Sequence, residues 1–245
     1  MVKKIAFLVP STTNKRNYDN IHQTELYKHL LPSVLNVCKD FQISVYVGYD
    51  DDDELYSNID LPKFYPPLYN NDGLGYEGTD SFDGIFDIKW IPVKNMKGKP
   101  THIWNHLGEL ALRDGFEYFM VLGDDIVCDK RKEWLGVFLK SLNKNNNVGY
   151  SAGWSNNDQI PTQFLIHKTH LDIFGFIYPP AIVNWGCDDW MFQIYGKFGK
   201  WFREYHLLNV GGEPRYDVVF NENFIKAVVK RYKPILNRFI SQHQK

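Results

Sequence analysis

The stretch that decides the fold runs from Tyr118 to Asp125 and reads YFMVLGDD. Five apolar or aromatic residues ending at a glycine are typical of a buried strand that stops at a turn. Two adjacent carboxylates at such a strand end are costly, because their charges repel each other and lose hydration. A hard divalent cation offsets that cost, since Mg²⁺, Mn²⁺ and Ca²⁺ prefer oxygen ligands. The stretch therefore predicts a metal site, with a plain strand-to-loop turn as the alternative.

The flanking segments predict an α/β fold with a mostly parallel sheet. Short β-branched or aromatic runs alternate with apolar residues at helical spacing, which is the pattern of βαβ units. The predicted strands of the first half are Lys4–Val9, Ile43–Tyr49, Asp87–Val93 and Tyr118–Leu122. The predicted helices cover Leu26–Cys38, Ile103–Leu112 and Trp134–Leu142.

The second half continues the alternation up to a basic tail. Its predicted strands are Val148–Trp154, Thr162–His167 and Trp201–Val210, and its predicted helices are Lys168–Phe174 and Asp188–Tyr195. The tail from Glu222 is predicted to be helical and interrupted at Pro234. A long segment, Asp50–Gly84, has no clear periodicity, and long loops of this kind are usually functional or mobile. No break in composition marks a linker, so we expect one domain over residues 1–245.

The composition narrows the class of protein. A net charge of -1 argues against a nucleic-acid partner. The 3 cysteines lie far apart, which favours a reducing compartment, and we expect a cytoplasmic protein. The apolar stretch after Lys4 is too short for a signal peptide, and no apolar run reaches the length of a membrane span. Aromatic residues make up 16% of the chain; most belong in the core, and some suit stacking on sugars or bases.

Polar clusters follow three of the predicted strands. Pro10-Ser11-Thr12 follows the first, Asp50 the second and Gly123-Asp124-Asp125 the fourth. Because open α/β sheets bind ligands beyond the carboxyl ends of their strands, we expect these clusters to share one rim. The acidic run after Asp50 lacks the glycine and glutamate of a calcium loop. A second acidic pair, Asp188-Asp189, opens a predicted helix, where an acid also serves as a cap.

The order of these motifs resembles that of GT-A glycosyltransferases over roughly Lys4 to Val210. The shared order is a strand, an acidic loop, an Asp-Asp pair, and an aromatic segment that ends in a second acidic pair. The second-half motifs that carry the resemblance are Thr162–His167, Phe174-Gly175-Phe176, Trp185–Trp190 and Tyr195–Gly199. Two positions depart from the family pattern: Gly123 stands where a strict Asp-x-Asp motif begins, and Asp188 replaces a glutamate.

The resemblance implies a Rossmann-like GT-A fold and a nucleotide-diphosphate sugar as donor, with UDP the favoured nucleotide. It also implies Mn²⁺ or Mg²⁺ as cofactor. Residues 1–127 would form the half that binds nucleotide sugar and metal, 128–221 the acceptor and catalytic half, and 222–245 the basic helical tail. Asp125 would anchor the metal, Asp124 would bind ribose or a metal-bound water, and His206 would be a third ligand. His167 and His170 compete with His206 for that role.

The remaining site residues follow from the same resemblance. Asp189 is the predicted catalytic base, with Asp188 beside it. The predicted donor-binding residues are Pro10, Ser11, Thr12, Asp50, Asn105, Asp124, Trp185 and Arg215. Asp50 would bond the nucleobase or ribose, Trp185 would stack on a sugar, and Arg215 would close over the diphosphate.

These expectations predict a metal-dependent glycosyltransferase that moves a sugar, with inversion, to a hydroxyl of a glycan or glycoconjugate acceptor. The rival enzyme class is a nucleotidyltransferase or metal-dependent phosphohydrolase, disfavoured because no Gly-rich phosphate loop with a lysine follows the first strand. The non-enzyme alternative is a carbohydrate-binding module. The basic tail could also contact a membrane surface peripherally.

Overall fold

The computed structural model describes residues 3–35, 40–58 and 86–243, together with the backbone of 68–69 and 75–76. Cys38, Lys245 and most of the predicted loop Asp50–Gly84 lie outside the described residues. The strands are β1 (Lys4–Ser11), β2 (Gln42–Asp50), β3 (Leu68–Tyr69), β4 (Gly75–Tyr76), β5 (Phe86–Val93), β6 (Tyr118–Val121), β7 (Ile126–Cys128), β8 (Tyr150–Trp154), β9 (Phe164–His167) and β10 (Gly199–Asn209). The α-helices are α1 (Leu31–Leu35), α2 (Glu54–Ser57), α3 (Pro100–Arg113), α4 (Trp134–Lys144), α5 (Thr169–Phe174), α6 (Cys187–Tyr195) and α7 (Glu222–His243).

Eight of the strands form one mixed sheet in the order β5-β2-β1-β6-β9-β8-β10-β7. The first four pair in parallel, β9 is antiparallel to both its neighbours, β10 is parallel to β8, and β7 closes the far edge antiparallel to β10. The predicted mostly parallel α/β fold is therefore confirmed. Because β9 runs against β6, its first residue lies at the same edge as the carboxyl ends of β1, β2 and β6.

Both faces of the sheet are covered, which explains why its central strands are almost continuously apolar. One core cluster takes alternate residues of β1 such as Phe7 and joins them to the helical segment before β2 and to α4. The other takes the intervening residues such as Leu8 and joins them to α3, α5, α6 and α7. The three-layer arrangement leaves the strand ends as the place where polar residues can gather.

Two predicted helices differ from the structure. The helix expected from Leu26 begins instead as a π-helical turn, Leu26–Leu30, before α1 continues. Pro32 explains the change, since it has no N–H to donate four residues back in an α-helical pattern.

The predicted interruption at Pro234 is wrong, because α7 runs unbroken through it. A proline inside a helix costs about 3 kcal/mol or more. Val228 before the proline and Leu236 after it are both buried, so packing holds the two turns in one helix.

Within the described residues, no helix combines the length and apolarity needed to cross a membrane.

Candidate active site

A cavity of about 660 Å³ opens along the carboxyl edge of the sheet. This volume lies in the range of sites for small molecules. Its lining includes the predicted donor residues Pro10, Ser11, Thr12, Asp50, Asp124, Trp185 and Arg215, as well as Asp125, Asp188 and Asp189. The predicted convergence of the strand ends is therefore what the structure shows, and both acidic pairs face one cavity.

Asp124 is held by three hydrogen bonds and is 2% exposed. Ser11 Oγ donates to its Oδ2 at 2.6 Å, Arg215 Nη1 donates to the same oxygen at 2.7 Å, and Arg215 Nη2 donates to Oδ1. A bidentate guanidinium–carboxylate pair is among the strongest charged hydrogen-bond arrangements. Both oxygens of Asp124 are therefore occupied by protein donors.

Asp125 lies in a slot between two glycine backbones. A Cβ on Gly123 would lie 2.7 Å from Asp125 Oδ1, and a Cβ on Gly211 would lie 2.0 Å from Oδ2. The carboxylate of Asp125 thus leaves too little space for a side chain at position 123, which explains the glycine at the first position of the Asp-x-Asp-like motif. Asn209 Nδ2 is 3.4 Å from Oδ1 and Arg215 Nη2 is 3.7 Å from Oδ2, so the carboxylate is weakly paired. Burial, with the neighbouring charge of Asp124, raises the pKa of Asp125 to about 6.

Arg215 belongs to the segment that follows β10, residues 210–220, which we call the strap. The strap places Arg215 at the cavity. Asn14 Nδ2 donates to the carbonyl of Arg215 at 2.6 Å, and Arg16 Nη2 donates to the carbonyls of Gly211 and Glu213 at 2.9 and 2.6 Å. The loop after β1 therefore fixes the strap across the cavity independently of the acidic pair.

Asp50, at the end of β2, has an unsatisfied oxygen. The residue is 5% exposed, Thr12 Oγ1 donates to its Oδ2 at 3.2 Å, and its Oδ1 has no hydrogen-bond partner. Burial raises the pKa of Asp50. A buried carboxylate oxygen without a partner is costly, so a donor group on a ligand would stabilise it.

The second acidic pair lies at the start of α6, on the wall formed by residues 184–189. Gly186 adopts a left-handed φ of 87° where the chain enters the helix, and a Cβ there would lie 2.7 Å from Ile225. Burial raises the pKa of Asp188 to about 6, with the charge of Asp189 adding to it, and burial also raises the pKa of Asp189. Both carboxyl groups thus bind a proton more readily than an exposed aspartate does. Trp185 beside them is 49% exposed.

Two further residues of the cavity were missed by the sequence reading. Gln163, which directly precedes β9, is 6% exposed, and its Oε1 has no hydrogen-bond partner. Tyr216 also lines the cavity, and its pKa is raised by burial first and then by the charges of Cys187, Asp125 and Asp188. Gln163 lies inside the motif Thr162–His167 and Tyr216 follows Arg215, but nothing else in the sequence points to either residue.

Several predicted residues are not brought to the cavity. Asn105 binds the loop before α6 instead: its Oδ1 accepts from the amides of Ile177 and Tyr178 at 2.9 and 2.8 Å. The ring of His206 packs edge-on against Trp154 at 5.2 Å, and His206 is not among the lining residues. His167 ends β9 at the opposite edge of the sheet, and His170 is buried between α5 and α6.

The residues that line the cavity fit a divalent cation whose coordination would be completed by a bound ligand. Six carboxylates and two cationic side chains, Lys99 and Arg215, line it among the described residues. The diphosphate expected from the sequence would need added positive charge in so acidic a cavity. Over the part of the chain that the structure describes, no group of three His, Cys, Asp or Glu residues could hold a metal. The weakly paired carboxylate of Asp125 could supply one protein ligand, and phosphate oxygens would supply others.

The architecture matches solved structures of known transferases. The mannosyltransferase PcManGT from Pyrobaculum calidifontis, in complex with GDP-Man and Mn²⁺, is 11% identical with a TM-score of 0.52, over 99% of this chain and 75% of that one. This chain shares the fold of that mannosyltransferase structure.

Another match is residues 1–349 of TarS from S. aureus, 12% identical with a TM-score of 0.50 over 84% of this chain. This chain spans 60% of the length of that TarS structure. A cytidylyltransferase from Leptospira borgpetersenii matches at 9% identity with a TM-score of 0.49, over 96% of this chain and 97% of that one. No protein-family model matches the sequence, and no curated protein matches it. The likeness to the mannosyltransferase and to TarS, at 11% and 12% identity, establishes the fold and leaves the reaction to the site.

Proposed function

We propose that the protein is a glycosyltransferase that moves a sugar from a nucleotide-diphosphate sugar to a hydroxyl group of a glycan or glycoconjugate. The observation that carries the proposal is one cavity that holds both acidic pairs: Asp124-Asp125 on the sheet edge, and Asp188-Asp189 on the α6 wall. The first suits a leaving diphosphate and the second suits an incoming hydroxyl. The transferase fold is consistent with this assignment.

The donor would lie along the sheet edge, with its nucleoside at β2. Asp50, Ser11, Asp124 and Gln163 lie at or just beyond the ends of β2, β1, β6 and β9, which are successive strands of the sheet. Three strand spacings span roughly 14 Å, which an extended nucleotide-diphosphate sugar can bridge. The unpaired Oδ1 of Asp50 would accept from the nucleobase or ribose, and the unpaired Oε1 of Gln163 would accept from a sugar hydroxyl.

The diphosphate would lie at the centre of this edge. Asp125 would hold Mn²⁺ or Mg²⁺, which when bound neutralises charge that develops on the departing diphosphate. Arg215 would donate to phosphate oxygens from the other side, since its side chain faces the cavity and carries a fixed positive charge. His206 is not part of this proposal, because its ring packs on Trp154.

The acceptor would enter past Trp185, whose exposed ring can stack on a sugar face. Asp189 would take the proton of the acceptor hydroxyl while the oxygen of that hydroxyl bonds to the anomeric carbon. The bond between that carbon and the diphosphate oxygen breaks on the opposite face, so the configuration inverts. General-base assistance of this kind contributes about 10²–10⁴-fold. The raised pKa of Asp189 favours its accepting a proton.

A peripheral membrane contact through α7 is a further part of the proposal. Its exposed basic residues are Lys226, Lys230, Arg231 and Arg238, and the helical spacing places Arg231 and Arg238 on the same face as the exposed Phe224 and Ile235. Basic and apolar side chains on one helix face are the composition that anionic lipid surfaces attract. Co-sedimentation with vesicles containing phosphatidylserine, and its loss in Lys230→Glu/Arg231→Glu, tests this contact.

A donor-hydrolysis screen with UDP-, GDP- and dTDP-sugars in the presence of Mn²⁺ tests the reaction. Release of free sugar and nucleoside diphosphate is expected. Release of pyrophosphate or inorganic phosphate would identify the rival nucleotidyltransferase or phosphohydrolase. Glycan binding without any nucleotide binding would identify a carbohydrate-binding module.

Variants assign the roles once a donor is found. Asp189→Asn should abolish transfer and leave nucleoside diphosphate binding nearly intact, whereas Asp125→Asn should lose metal dependence and activity together. Asp172→Asn, on the exposed side of α5, is the matched control and should retain activity. A product with retained anomeric configuration would rule out the simple base role of Asp189.

A further inference from the structure

The two carboxylates of the Asp124-Asp125 pair are not equivalent in this structure. We propose that Asp124 is a positioning residue that fixes Arg215 against the diphosphate, while Asp125 alone carries the metal. The inference rests on the proposed function, since it takes a nucleoside diphosphate as the ligand. It differs from the sequence-based expectation, in which Asp124 bonds ribose or a metal-bound water.

The protein donors around Asp124 compete with a metal for its two oxygens. Its Oδ2 receives hydrogen bonds from Ser11 and Arg215, its Oδ1 receives one from Arg215, and the residue is 2% exposed. Ser11 Oγ is in turn 2.7 Å from the hydroxyl of Tyr56, a fully enclosed ring. Coordination at Asp124 would require breaking the guanidinium pair and leaving Arg215 without its counter-charge, which is strongly unfavourable for a buried pair.

Arg215, in contrast, has donors left for a ligand. A guanidinium carries five N–H groups. Three hydrogen bonds use them in this structure: two to Asp124 and one, of 2.8 Å, to the carbonyl of Thr12. The side chain is 11% exposed and lines the cavity, so the remaining donors can meet phosphate oxygens. Because Asp124 holds the planar guanidinium group of Arg215, these donors keep one fixed direction.

The strap can remain in place when Asp124 is changed. Asn14 and Arg16 bind the main chain of Arg215, Gly211 and Glu213, and none of these bonds involves the acidic pair. Replacing Asp124 should therefore release the guanidinium from its orientation without displacing the backbone that carries it. This separation makes the positioning role testable.

The experiment measures UDP or GDP binding, whichever the wild type binds, by calorimetry over a series of Mn²⁺ concentrations. Two quantities are compared: the Mn²⁺ concentration that half-saturates nucleotide binding, and the nucleotide affinity at saturating Mn²⁺. Asp125→Asn should raise the half-saturating Mn²⁺ concentration by tenfold or more. Asp124→Asn should change that concentration by less than threefold. It should weaken the nucleotide affinity at saturating Mn²⁺ by about tenfold, which is what a charged hydrogen bond contributes.

Arg215→Met should weaken nucleotide affinity at saturating Mn²⁺ at least as much as Asp124→Asn does. The double variant should bind no more weakly than Arg215→Met alone, because Asp124 acts through this arginine. Arg215→Lys should recover only part of the affinity, since lysine keeps the charge without the fork. Affinity for the free nucleoside, measured in the same variants, should not change.

The inference is overturned if Asp124→Asn raises the half-saturating Mn²⁺ concentration as much as Asp125→Asn does. It is also overturned if Arg215→Met binds nucleotide as tightly as the wild type or more tightly. If Asp124→Asn does not fold, Arg215→Met alone decides between these outcomes. A wild type that binds no nucleoside diphosphate at any Mn²⁺ concentration would instead contradict the proposed function.

Discussion

The buried His170 predicts a specific loss of stability in acid. The residue is 1% exposed; its Nε2 is 2.9 Å from the carbonyl of Ile177, and its Nδ1 is 2.8 Å from the hydroxyl of Tyr195. Because a carbonyl only accepts, Nε2 carries the proton and Nδ1 accepts from the tyrosine. The neutral ring thus joins α5 to α6, the helix that begins with Asp188-Asp189.

Burial lowers the pKa of His170 from 6.5 to about 4. In the unfolded chain the ring takes up a proton near its ordinary pKa, so between these values the unfolded state binds more protons. The stabilisation is therefore fully present above pH 6.5 and is lost as the pH falls towards 4. At about 1.4 kcal/mol for each pH unit, the total is about 3 kcal/mol, of which about 2 kcal/mol is lost between pH 7 and pH 5.

Urea unfolding at pH 7 and pH 5 measures this loss in the wild type and in His170→Gln. Glutamine can donate to one neighbour and accept from the other without titrating, although it packs less well. The free energy of unfolding should fall by about 2 kcal/mol more in the wild type than in the variant. His243→Gln, at the exposed end of α7, is the matched control. Equal losses in wild type and His170→Gln would refute the reasoning.

Three other predictions concern the site and its support. Gly211→Ala should raise the Mn²⁺ concentration needed for nucleotide binding, because the new Cβ would overlap the carboxylate of Asp125. The control is Gly136→Ala, where a Cβ meets only ordinary contacts, and it should raise the melting temperature slightly because alanine favours a helix. Asp50→Asn should weaken nucleoside binding in calorimetry while leaving the melting temperature equal or higher, since it removes a buried charge with an unpaired oxygen. Asn105→Ala should lower the free energy of unfolding by about 1–3 kcal/mol, because it leaves two buried amides of the loop before α6 without their acceptor. An unchanged Mn²⁺ requirement in Gly211→Ala, an unchanged nucleoside affinity in Asp50→Asn or an unchanged free energy of unfolding in Asn105→Ala would each contradict the contact on which that prediction rests.

The sequence by itself determined the class of fold and the rim of the site. Apolar runs such as Tyr118–Leu122 specify strands buried on both faces, and the alternation with helical spacing specifies a mostly parallel sheet. Parallel strands then bring Ser11, Asp50 and Asp124 to one edge. These features are local or follow from chain direction, so periodicity and order were enough to predict them.

Tertiary structure alone decided which carboxylate of the pair is strongly bound by protein donors and which is weakly paired. Arg215 lies 91 residues from Asp124 and Gly211 approaches Asp125 from the same strap, so no spacing in the sequence reports either contact. The same holds for His206, which packs on Trp154, and for Asn105, which binds the loop before α6. Side-chain partners across the fold depend on packing geometry, and motif order does not encode it. The acidic pair therefore marks the predicted site in the sequence, and the fold gives its two members different partners.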